Sequence, residues 1–279
     1  MIMGLTEREI QILTEIEKWS DQMQHEQTDF EMTYDKWLEN SLSLIPENVR
    51  TEFFSKLDNW LFHLHAILQG TQIQVDARER LIRSARVFNQ DIEEISDLKE
   101  LTIDQLIYLT ENQIAKHRLY SFAQGGLSGT GGLLLLGTDI PGITVLNLRI
   151  VQLIAMTYGY EVNTPYEMMT SLKVFHAATL PKRMRFQGWE ELTQGTDGSN
   201  QNQYFYNGSE DLTDETWLEL PLKHIVKAVA ISILRKRMIQ GIPLVSMAIG
   251  AGMNYQLTRQ VSDYAHNYYR LRFLKEKEY

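Results

Sequence analysis

The sequence predicts an all-α protein, a single multi-helix domain with glycine-rich helical hairpins. Apolar residues recur every three to four positions through most of the chain, which is the period of an amphipathic helix. No alternating strand pattern of useful length appears. Only six prolines interrupt 279 residues, and Leu, Ile, Gln, Glu and Lys favour helix throughout.

The elements follow in order. Thr6 and Glu9 form a capping box, and Ile10, Leu13, Ile16, Trp19 and Met23 make the apolar stripe of a helix over about 6–27. Thr28 and Glu31 repeat the box for a second helix to about residue 43. Pro46 opens a third, with Val49, Phe53, Leu57, Trp60, Leu64 and Leu68 on one stripe and Gly70 at its end. Residues 71–90 read as a helix with Arg78, Arg80, Arg83 and Arg86 spread around it. These arginines make either a solvated face with scattered ion pairs or a phosphate-facing surface. Residues 91–100 read as a polar linker. A helix from Thr102 to about Ser121 follows, then the glycine stretch, then a helix from about 141 to Tyr158 capped by Gly159. Thr164, Pro165 and Glu167 mark a strong helix start, and Pro181 ends that helix. Residues 187–215 read as a polar loop or insertion containing the sequon Asn207-Gly208-Ser209. A helix over about 213–240 and a long one from Pro243 complete the chain. The expected organisation is N-terminal amphipathic helices over 1–45 and a helical domain over 46–279.

Two windows lack charge. Residues 119–138, LYSFAQGGLSGTGGLLLLGT, are twenty uncharged residues with six glycines. Residues 238–258 are 21 more. Small residues stand four apart at Gly125 and Gly129, at Ser246 and Gly250, and at Ala248 and Gly252, so one helix face carries no bulk and two backbones can approach. A membrane span is disfavoured by the glycines, by Gln124, Gln240, Asn254 and Gln256, and by Asp139 at once after the first window. A phosphate loop would need a preceding strand and a Lys at the helix start, and has neither. A glycine-packed helical hairpin remains, either inside a soluble fold or dipping into a bilayer surface.

The chemistry is sparse. Net charge is −9, and residues 1–60 hold 13 acidic against 5 basic side chains, which argues against a nucleic-acid partner. Absent cysteine removes disulfide, thiol nucleophile and thiolate metal site, and fits a reducing cytosol. MIMGLTEREI has no secretory leader and no myristoyl glycine beside Met1. No HExxH and no GxSxG in strand context occurs, the seven histidines are scattered, and neither cofactor nor metal is expected. Asp139 and Arg149, charges beside apolar helical sequence, form either a buried ion pair or a functional site in a groove. Asn254 makes either an interhelical hydrogen bond or a ligand contact.

GGLSGTGGLLLLGTDIPGITVLNLRIVQLIAMTYGYEV, with Asp139, Arg149 and Tyr158-Gly159 in order, resembles the glycine-rich segment of the EcsC protein family. IPLVSMAIGAGMNYQLTRQVSDYAHNYYRLRFL resembles its C-terminal signature at Gly250, Asn254, Ala265, Arg270 and Arg272-Phe273-Leu274. The resemblance spans about 45–277. It implies no transferable catalytic residue. The family takes its name from a locus that also encodes ABC transporter subunits, and this chain has the size and N-terminal extension of the bacterial member beside that transporter. The expectation is therefore a non-enzymatic cytoplasmic accessory protein, peripheral to the inner face of the membrane, with ABC transporter subunits as partners. The rival expectations are a peptidase-like hydrolase with a site near Asp139, Arg149 and Asn254, and a lipid-binding module.

Overall fold

The computed structural model describes residues 4–25, 72–128, 133–180, 182–194 and 243–278. The helices expected over 28–43, 46–70 and 213–240, the sequon at Asn207, and Gly129 lie outside these. The described residues form seven α-helices and no strand, an all-α fold. They are α1 (Glu7–His25), α2 (Gln72–Ala85), α3 (Ile103–Ser128), α4 (Leu133–Thr157), α5 (Pro165–Thr179), α6 (Lys182–Gln194) and α7 (Pro243–Glu278).

The caps sit where the side chains require them. Thr6 N donates to Glu9 Oε2 at 2.8 Å while Glu9 N donates to Thr6 Oγ1 at 3.3 Å, the reciprocal capping box. Thr102 and Gln105 do the same for α3 (2.9 and 3.4 Å). Glu167 N donates to Thr164 Oγ1, with Pro165 in the first turn of α5. At the end of α4, Gly159 N donates to Met156 O (3.0 Å) and Tyr160 N to Ala155 O (3.1 Å), a Schellman motif. Gly159 holds φ +81° there, and an added Cβ would lie 2.5 Å from Lys99 Cγ.

Several expectations are corrected. In α1, Ile12 is fully buried while Ile10 is exposed, so the buried face is turned from the expected stripe toward Ile12, Ile16 and Met23. Helix α2 stops at Ala85 rather than near residue 90. Residues 91–100 are no polar linker: Ile92, Ile95 and Leu98, three apart, are buried, and the segment ends in a 3₁₀ helix (Ser96–Glu100) that carries Leu98. Helix α3 continues through Gly125 to Ser128, seven residues past its expected end. Helix α4 begins at Leu133, eight residues before its expected start, because Leu133–Leu136 continue the apolar helical run. Pro141 is inside α4, where it removes one backbone donor but does not end the helix. Residues 187–194 belong to α6 rather than to a loop, anchored by Trp189.

Helix α7 is the axis of the fold. It packs on α3, α4, α5 and α1, and α6 packs on α5 and α1. Trp19 of α1, Trp189 of α6 and Tyr264 of α7 meet edge to face at centroid separations of 5.1–5.8 Å, so α1 shares the common core. Gly188 lets α6 approach α5 closely: an added Cβ would stand 3.0 Å from Leu180 and 3.2 Å from Ala177. The pairings of Ser121 with Thr258 and of Arg118 with Ser262 run α3 antiparallel to α7.

Candidate functional site

A line of buried polar residues runs between α3 and α7. On α7, Asn254, Thr258, Ser262, His266 and Arg270 stand four apart, a single i+4 ridge of the helix surface. Ser121 of α3 faces its first turn: Thr258 Oγ1 donates to Ser121 Oγ (2.7 Å), which donates to the Asn254 carbonyl (2.7 Å). Both hydroxyls are fully buried. Ser121 thus spends its proton on the Asn254 backbone acceptor rather than on an imidazole or carboxylate, an arrangement that ties helices rather than activating a nucleophile. One turn on, Arg118 donates through Nη2 to Ser262 Oγ (2.9 Å) and to Asp263, and Arg259 stands 3.7 Å from Asp263.

Next, Tyr158 OH and His266 Nε2 lie 3.0 Å apart. Tyr158 is fully buried and also shares a hydrogen bond with Thr110. Burial pushes its hydroxyl far above the ordinary phenol range. Burial, with the Arg270 and Arg118 guanidinium groups, holds His266 well below the ordinary imidazole range, so both groups are neutral. His117 is likewise held down to about 4 by burial and by Arg149 and Lys116. Arg270 donates to Asn267 Oδ1. Its own pKa is lowered by burial, and its Nε has no hydrogen-bond partner among the described residues.

The sequence candidates divide accordingly. Tyr158, Asn254 and Arg270 lie along or against this seam. Asn254 makes its interhelical bond through the main chain, and its side-chain amide nitrogen has no partner among the described residues. Arg149 is half-buried on α4, its pKa drawn down by burial and by Arg80. Asp139 stands ten residues earlier on the same continuous helix, about 15 Å along its axis. Gly125 is buried in α3, and Gly250 and Gly252 lie in α7. A Cβ on Gly252 would meet nothing within 4 Å among the described residues. The i+4 polar ridge on α7 was the signal available for Thr258, Ser262 and His266. Among the described residues no three His, Asp or Glu side chains gather as metal ligands.

A second polar cluster clamps the opposite end. Arg272, 5% exposed, makes a bidentate pair with Glu167 (2.8 and 2.6 Å) and lies over the Tyr160 ring at 3.9 Å. Hydrogen bonding and charge from Glu167 outweigh the burial penalty and raise its pKa. Phe273 and Leu274 are buried beside it, Phe273 against Tyr158 (5.9 Å). The closing Arg-Phe-Leu therefore builds the core.

On α2, Arg78 pairs with Glu161 and Arg83 with Glu79, and just past its end Arg86 Nε donates to Ile92 O at 2.7 Å. These contacts fit a structural face. No helix among the described residues is long and apolar enough to cross a membrane.

The profile of the EcsC protein family matches residues 10–274, beginning well before the stretch that carries the sequence resemblance. Uncharacterized protein YdbA of Bacillus subtilis (strain 168) is 21% identical over 274 residues, 96% of this chain and 93% of its own length. Protein EcsC of the same strain is 24% identical over 186 residues, 64% of this chain and 69% of its own. No solved structure matches. The family profile covers nearly the whole chain, every described helix included at least in large part, and the chain belongs to the EcsC protein family.

Proposed function

We propose that this chain is a non-enzymatic accessory protein of the cytoplasmic membrane face, working alongside an ABC transporter. The observation that carries the reading is the exposed apolar cluster at one end of the helix bundle. Leu119, Tyr120 and Phe122 of α3 are 64%, 58% and 50% exposed. Tyr255 of α7, also exposed, lies in the same layer, because Ser121 bonds to the Asn254 carbonyl beside it. Clustered large apolar side chains at a surface mark an interaction site, whereas scattered ones need no explanation. The transporter partnership rests on the locus that gives the family its name.

The hydrolase reading has less support. Asp139 and Arg149 are separated along one helix, and the hydroxyl, imidazole and phenol of the seam are engaged in helix-to-helix bonds. The test is fractionation of host cells expressing the tagged chain, followed by crosslinking. The expected result is sedimentation with the membranes and crosslinks to an ABC transporter subunit. Quantitative recovery in the soluble fraction with no such crosslink would overturn it.

A further inference from the structure

The helix directions bring the described parts of the two uncharged windows, 119–128 with 133–138 and 243–258, to the same pole. Helix α3 runs into its window, from Arg118 to Ser128, while α7 runs out of its own, from Pro243 to Arg259. Arg118 holds the two in register by reaching Ser262, Asp263 and the Arg259 carbonyl. Helix α4 starts at this pole, returning antiparallel to α3, with Tyr158 beside Thr110 and Arg149 near His117. Beyond Arg118 the ten residues of α3 rise about 15 Å, and the sixteen of α7 before Arg259 about 24 Å, without a charge. The hydrocarbon of one leaflet is about 15 Å deep, half of a bilayer core of roughly 30 Å.

Charge is sorted around this pole. Carboxylates are absent from α3 after Glu111, from α4 after Asp139 and from α7 before Asp263. The same segments carry Lys116, Arg118, Arg149 and Arg259. Among the described residues of these three helices, Lys116, Arg118, Arg149 and Arg259 stand around the pole with Asp263, in a chain whose net charge is −9. Lys116 and Arg259 are exposed. Tyr120, Phe122 and Tyr255 stand beside the rim, where aromatic side chains settle at a water–lipid boundary.

We infer that this pole docks into one leaflet of an anionic phospholipid bilayer, the uncharged helix ends entering the hydrocarbon and the basic rim meeting the headgroup phosphates. The inference rests on the membrane-face reading and gives it a contact surface. Apolar depth anchors the pole, and the rim selects anionic lipid, each cation near the surface adding about five-fold in affinity at low salt.

The experiment is vesicle flotation of the full chain with phosphatidylcholine alone and with phosphatidylglycerol added. The variants are Leu119→Glu with Phe122→Glu, Lys116→Gln with Arg259→Gln, and Val87→Glu. Val87 is 81% exposed but stands on the turn after α2, outside both windows. All substituted side chains are exposed, and circular dichroism checks that each variant folds. The expected result is flotation that favours phosphatidylglycerol and keeps an apolar part at high salt. It falls about ten-fold or more in the α3 pair. It loses its lipid-charge preference in the rim pair and is unchanged in Val87→Glu. Flotation lost in Val87→Glu and kept in the α3 pair would overturn the pole and leave the membrane reading standing. No flotation of a chain that sediments with cell membranes would also overturn it, the contact then being to a protein. No flotation and no membrane recovery would remove both.

Discussion

At the scale of single residues, the buried Arg272–Glu167 pair is the contact whose loss should be felt most. Removing one partner leaves the other charge buried and uncompensated, a cost of about 3–5 kcal/mol. Arg272→Ala should lower the unfolding free energy from urea titration by that amount, and Arg272→Met combined with Glu167→Leu should recover most of it. A single variant within about 0.5 kcal/mol of wild type would contradict the clamp. The neutral histidines give a second prediction. The folded-state pKa values of His117 and His266 are depressed, His117 to about 4, below an unfolded value of about 6.5. The unfolded chain therefore takes up protons that the folded one refuses, and stability falls as pH drops below about 6.5. For His117 the loss stops near pH 4. Each histidine contributes about 1.4 kcal/mol per pH unit within its window. Denaturant midpoints between pH 7 and 5 should fall accordingly, and His266→Gln should flatten the slope. Equal slopes in variant and wild type would exclude His266 as the cause.

At the scale of elements, two glycines in similar sequence should behave oppositely. Gly159 caps α4 at positive φ with Lys99 against it, so Gly159→Ala should cost about 1–2 kcal/mol from backbone strain alone. Gly252 lies in the exposed interior of α7 with open space around it, so Gly252→Ala should stabilise by up to about 1 kcal/mol. Thermal melts decide both, and a destabilised Gly252→Ala would restore that glycine to a packing role. The same contrast shows how much of the fold could be read from sequence. Caps were legible because Thr6, Thr102 and Thr164 act on donors three residues away. The end of α4 was legible for the same reason, as Gly159 acts on carbonyls a few residues back. The end of α3 and the start of α4 were not, because glycines weaken local helix preference there and yet α3 runs through Gly125 and α4 through Gly137. The segment over 92–98 was missed because its three-residue apolar repeat fits neither the α-helical nor the strand period. The pairings of Tyr158 with His266 and of Asn254 with Ser121 were missed because each joins residues more than 100 positions apart, although the i+4 ridge on α7 was in plain view.

At the scale of the molecule, the described residues set most of their long-range ion pairs at one end and their uncharged helix segments at the other. One end gathers Arg8–Asp104, Lys99–Glu276, Lys277–Glu9 and Arg272–Glu167. The other gathers the described parts of both uncharged windows beside Lys116, Arg118, Arg149 and Arg259. The sequence showed the windows but not their meeting, which depends on the antiparallel pairing of α3 with α7. Because the chain has no cysteine, one introduced thiol reports on one site. The most direct measurement labels Phe122→Cys with an environment-sensitive fluorophore and adds phosphatidylglycerol-containing vesicles, some carrying spin-labelled acyl chains. Val87→Cys serves as the control. The account predicts a blue shift and acyl-chain quenching at 122 and neither at 87. Quenching at 87 with none at 122, or at neither site, would contradict docking by this pole.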